Sequence, residues 1–134
     1  MNTGHNGSMS TVHANSPRDA LARLENLVLT ANLDLPSHAI RGQIASAFDL
    51  IVQIERMRDG VRRITNVDEV VGMEGGEITS QPLFAYHFMT ENPDWSLNGK
   101  FEATGLTPNF LSRIAYYGLG KAFLDAITDT RPDR

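Results

Sequence analysis

The sequence predicts an α/β fold, because helix-type and strand-type patterns occupy separate blocks along it. Ser16-Pro17-Arg18-Asp19 is helix-start chemistry and is followed by Ala20, Leu24, Leu27, Val28 and Ala31 at spacings of three and four. Leu50–Ile54 and Ile78–Phe88 are rich in β-branched and aromatic residues. Asp59-Gly60 and Gly75-Gly76 stand between strand-like runs, where hairpin turns belong.

Each element has a local cause. Ser8–Ala14 is short and holds small and β-branched residues, which predicts a strand. Ser16 suits the N-cap, Pro17 the first helical position, and Asp19 can answer the cap from the third. A second helix is expected from Ser37, with Ile40, Ile44, Ala47 and Phe48 on its apolar side. Leu50–Ile54 reads as a buried-type strand. Val61–Met73 and Ile78–Phe88 would complete a β-meander, with Phe84, Tyr86 and Phe88 on one face. Trp95–Thr104 suggests a further short strand. Thr107-Pro108 repeats the cap-then-proline start and opens a helical region to Ile127, broken at Gly118-Leu119-Gly120. The expected domain is 1–127, followed by a disordered polar tail, 128–134.

The chain has 134 residues, enough for one domain with its own core. It has no cysteine, which excludes disulfides, thiolate metal sites and a cysteine nucleophile. A net charge of −4 gives no general drive toward nucleic acid or an anionic membrane, so no nucleic-acid partner is expected. No apolar run is long enough to span a bilayer. The lack of cysteine fits a cytoplasmic location, which is the expectation.

Residues 4–15 hold the most suggestive chemistry. His5 and His13 flank a glycine–serine stretch, and glycine amides with Ser and Thr hydroxyls are good phosphate partners. A histidine at a strand end can bond a phosphate oxygen or position a water. The plainer account is a Gly-Ser turn with one exposed and one buried histidine. A metal site lacks a third ligand at a familiar spacing. A Ser8–His13–Asp19 triad lacks a nucleophile elbow. Glu69, Glu74 and Glu77 read as a solvated acidic edge, and His38 and His87 as surface or satisfied core residues.

The run G-H-N-G-S-M-S-T-V-H-A-N-S-P-R-D-A-L-A-R-L-E (residues 4–25) resembles the His box of type II/IV secretion-system ATPases and the helix after it. The tight-adherence (Flp-type) pilus branch is the nearest likeness. The resemblance continues through residues 39–53 and 58–75 and fades over 99–110. It implies the C-terminal half of a RecA-like P-loop ATPase domain with an added antiparallel β-meander. It also implies a hexameric ring of identical subunits, an inner-membrane platform protein as partner, and ATP with Mg²⁺ as cofactor in the intact family protein. Through such partners the chain would sit peripheral to the inner membrane. By motif position His13 and His5 become the catalytic candidates, and Gly4, Gly7, Ser8 and Thr11 the cofactor-binding ones. Arg41, Arg56, Arg62 and Arg63 fall at positions that are basic in related chains, serving either subunit contacts or solvated edges.

One departure bears on activity. A phosphate-binding loop needs G-x-x-x-x-G-K-[ST]. Lys100 is followed by Phe101 and Lys121 by Ala122, so neither lysine fits. Leu50–Glu55 mimics an acidic Mg²⁺-holding strand but follows the His box instead of preceding it. The expectation is therefore a chain that opens inside a motif and is inactive alone, with no tight cofactor binding. The alternative is a stand-alone, non-catalytic interaction module that binds motor subunits.

Overall fold

The structure, a computed structural model, describes residues 7–31 and 35–128. Along them run α1 (Pro17–Thr30), α2 (Ser37–Ala47), β1 (Leu50–Arg56), β2 (Arg62–Glu74), β3 (Glu77–Glu91), β4 (Leu97–Ala103), α3 (Leu111–Tyr116) and α4 (Gly120–Thr128). The strands form one open sheet in the order β1-β2-β3-β4, antiparallel throughout. The expected RecA-like half-domain is therefore not present. A RecA-like core rests on parallel strands, which need crossover connections of a dozen or more residues. Here consecutive strands are joined by tight turns, which return the chain only as an antiparallel neighbour. Ser8–Ala14, predicted as a strand, has no regular structure at all.

The turns explain the sheet. Gly60 (φ 79) ends the β1–β2 connection, where its amide donates to the Met57 carbonyl and the Met57 amide to the Val61 carbonyl. This is a tight turn closed by a left-handed residue. Gly75 (φ 59) and Gly76 (φ 86) alone join β2 to β3, and a two-residue hairpin with both φ positive favours glycine at both places. The β3–β4 connection repeats the first pattern, with Trp95 donating to the Asn92 carbonyl and Asn92 to the Ser96 carbonyl. Trp95 has φ 68 and is the one non-glycine with positive φ among the described residues. An L-residue pays about 1–2 kcal/mol there.

The chain divides into two compact units: residues up to 51 with 70–81, and 52–69 with 82 onward. In the first, Ser16 caps α1 by accepting the Asp19 amide at 3.1 Å, as predicted. The core is Leu21, Ile40, Ile44 and Val70, with Leu24, Val28, Phe48, Ile51 and Ile78 packed against it. Leu27, expected on the apolar face, is 53% exposed, and Leu21 takes the inward position instead. α2 begins at Ser37, but its N-cap is Pro36, without a side-chain bond. Arg41 is part of the scaffold here. Its Nε donates to both Glu25 carboxylate oxygens (2.9 and 3.0 Å), and its Nη1 to the Gly76 carbonyl and to Glu77. One guanidinium thus joins α1 to the β2–β3 turn.

The second unit is built on aromatic contacts and one buried acid. Phe84 and Phe101 stack across β3 and β4 at 5.6 Å, and Phe123 of α4 meets both Phe84 and Phe110 edge-on. Phe84 and Tyr86 share this face as predicted, with Phe88 half exposed. The Tyr86 ring lies directly over Gly99, leaving no room for a Cβ. Glu69 corrects the solvated-edge expectation. It is 3% exposed, and its two oxygens accept the Asn109 and Phe110 amides at 3.1 and 3.2 Å. The α3 helix starts after Phe110 and not at Thr107, and the Glu69 carboxylate holds the two residues that lead into it. Leu50–Ile54 also departs from expectation. Gln53 is buried, while Leu50, Val52 and Ile54 are exposed, because these three share the strand face that is left uncovered.

Asp59 holds the β1–β2 turn to the start of β4. Arg63 donates to both of its oxygens (2.9 and 2.7 Å), and the Val61 and Leu97 amides add to these. The Arg63 hydrogen bonds hold the Asp59 carboxyl down at about 2, with the two amides helping and desolvation opposing. An unfolded Asp titrates near ~3.9. The unfolded chain therefore takes up the proton first as pH falls. The stabilisation from Asp59 is complete above pH about 4 and is lost toward pH about 2. The Tm difference between the parent and Asp59→Asn should shrink across that window, and a difference that stays constant would contradict the pairing. In the other unit, Ile40→Ala removes a side chain with no exposed surface and should cost about 2–5 kcal/mol. Leu27→Ala should cost under about 1 kcal/mol. Urea titration of the two variants checks this order.

Candidate functional site

Residues 7–13 lead into α1 as irregular chain, and all are exposed. Small and hydroxyl side chains give this stretch little to bury, and among the described residues it has no strand partner to bond. Met9 is 98% exposed. The stretch ends at α1, where Ser16 and the buried Pro17 fix the direction of entry. Beside this junction lies an open groove lined by His13, Ala14, Asn15, Asp19, Ala22, Arg23 and Asn26.

Of the predicted site residues that the structure describes, His13 alone lines the groove. Gly7, Ser8 and Thr11 are exposed on the stretch before it. Gly4 and His5 lie outside the described residues. The contemplated Ser8–His13–Asp19 triad is not assembled, since Ser8 does not line the groove that His13 and Asp19 share. The groove residues missed by motif reasoning are Asn15, Ala22, Arg23 and Asn26. Their signal was present, because Asp19, Ala22, Arg23 and Asn26 fall at i, i+3, i+4 and i+7, one face of a helix. Attention to apolar periodicity hid the polar face opposite.

The arginines divide differently. Arg41 and Arg63 are committed to Glu25, Glu77 and Asp59, and Arg63 also lies 5.9 Å from the Tyr86 ring centre. Arg56 donates to the Gly60 carbonyl. Arg62 is exposed, as are His38 and His87.

These residues do not fit ATP with Mg²⁺. The groove opposes one arginine to one aspartate, so it offers little net attraction for a polyphosphate. No group of three or more His, Cys, Asp or Glu that could hold a metal occurs among the described residues. The antiparallel sheet also lacks the parallel-strand ends at which such cofactors are held. The expectations of an ATPase, of ATP binding and of a hexamer are set aside with the RecA-like fold that implied them.

A family model described as Type II/IV secretion system protein matches residues 1–81. The chain belongs to that family. Curated relatives agree over a similar length. A conjugal transfer protein TrbB of Rhizobium radiobacter is 43% identical over 74 residues, covering 55% of this chain and 20% of the relative. A protein of Sinorhizobium fredii, also described as TrbB, is 40% identical over 84 residues, covering 61% and 24%. A Mycobacterium tuberculosis (strain H37Rv) protein described as a conjugal transfer protein is 37% identical over 75 residues, covering 56% and 21%. The matched stretch thus spans about a fifth to a quarter of the length of these relatives. Their names concern conjugal transfer, whereas the sequence motifs suggested the tight-adherence pilus branch. No helix among the described residues is long and apolar enough to cross a membrane.

If the groove does not take nucleotide, adding ATP and Mg²⁺ should leave the Tm of the chain unchanged in a thermal-shift assay. A rise that grows with concentration, as specific binding requires, would reinstate the nucleotide site.

Proposed function

We propose that this family member acts as a non-catalytic interaction module of a conjugation or secretion apparatus, binding a full-length protein of the same family through residues 7–13 and the groove beside them. The observation that carries this reading is the exposure of Met9 within the stretch that most resembles the family. A methionine with 98% of its surface in water contributes nothing to the core, while an adaptable thioether is well suited to an apolar contact on another protein. His13, Arg23 and Asp19 would supply the polar rim of that contact, and Gly7, Ser8 and Thr11 the backbone that reaches it. The relatives' names favour conjugal transfer over pilus assembly as the setting. Attachment to a membrane-embedded platform would then pass through the bound partner.

The test is titration of this chain into purified full-length TrbB by isothermal calorimetry. Binding is expected, and Met9→Asp should weaken it at least about tenfold without lowering the Tm. No complex, or a Met9→Asp variant that binds as the parent does, would sink the reading.

A further inference from the structure

The two turns that share one architecture differ at one telling position. In the β1–β2 turn, Asp59 precedes Gly60, and the Asp59 carboxylate accepts the Val61 amide. In the β3–β4 turn, Asp94 precedes Trp95, and the Asp94 carboxylate accepts the Ser96 amide and hydroxyl. The backbone bonds that close the two turns are the same. Where the first has the glycine that a left-handed residue favours, the second has the chain's single tryptophan. That indole is 73% exposed. It contributes little to the core, and its backbone is held in a conformation that works against folding. Strain of this kind is a reason to look for function.

Side-chain hydrogen bonds also brace the tip. Asn92 Nδ2 donates to the Ser96 hydroxyl at 2.7 Å, and Asn98 Nδ2 to Asn92 Oδ1 at 3.2 Å. A rigid display lowers the entropy lost on binding, and tryptophan is among the residues most enriched at energetic centres of interfaces. The charge beside it selects the partner. Asp94 is exposed, and the turn 92–96 contains no Lys or Arg to offset it. The Asp94 carboxylate beside the indole suits a protein surface that pairs an apolar slot with a basic side chain, which could sit over the indole face while bonding the carboxylate.

We infer that the β3–β4 hairpin tip is a docking knob, on which Trp95 inserts into an apolar slot of a partner protein and Asp94 pairs with a lysine or arginine at its rim. The knob lies beyond the family-matched residues 1–81, and it does not depend on the contact proposed for residues 7–13.

Trp95 reports on itself, because no other tryptophan contributes fluorescence. The full chain alone should show the emission of a water-exposed indole, readily quenched by acrylamide. Titration with an alternating leucine–arginine peptide should shift the emission to the blue and protect it from quenching. A leucine–glutamate peptide should do neither. With a labelled peptide, Asp94→Asn, which keeps the turn's acceptor oxygen, should weaken binding about two- to fivefold. Trp95→Gly should weaken it at least about tenfold while its Tm stays at or above the parent's. Four results would each overturn the inference: no shift with the basic peptide, an equal shift with the acidic one, an equal shift with phosphatidylglycerol vesicles, or a Trp95→Gly variant with a lower Tm. A blue shift that grows with protein concentration alone would overturn it too, by assigning the tip to a second copy of the chain.

Discussion

Between β2 and β3 the chain has only Gly75 and Gly76 in which to reverse direction, and the rest of the sheet follows from connections of that kind. A turn so short returns the chain beside the strand it has just left. Once these reversals are set, the strands can occur only in sequence order, and among the described residues both outer strands keep an unpaired edge. On β1, Val52 and Ile54 share an uncovered face, while Gln53 on the opposite face is buried.

Charged groups then fasten the turns to their surroundings. In the first unit, Arg41 gathers Glu25, the Gly76 carbonyl and Glu77, so that one planar cation holds a helix to a hairpin. In the second, Asp59 accepts from Arg63 and from the Val61 and Leu97 amides, and Glu69 holds the residues just before α3 from a distant strand. All three are ionisable residues used as scaffold. Such use explains why charged positions that resemble family motifs need not be contact residues.

Exposed groups outside this scaffold are then the more informative ones. Met9 and Trp95 are large, apolar and mostly in water, and neither helps to close a core. They lie in different units and on different segments, one inside the family-matched stretch and one beyond it. Each of the two proposed contacts rests on one of them.

Local chemistry alone determined the α1 start at Ser16-Pro17, the hairpin at Gly75-Gly76, and the membership that residues 4–25 announced, since each depends only on near neighbours or on a motif. Tertiary structure decided the remainder. That Ser8–Ala14 is not a strand depends on whether another strand lies beside it to complete the hydrogen bonds. That Leu50, Val52 and Ile54 face water while Ile51 packs on the core depends on which face of the strand the rest of the chain covers, and that Glu69 is buried depends on two amides some forty residues away. Trp95 joins this group, because no rule of composition puts a tryptophan in the left-handed place of a turn. Pairing, burial and strain depend on what a distant part of the chain brings alongside, and the sequence near a residue does not contain that.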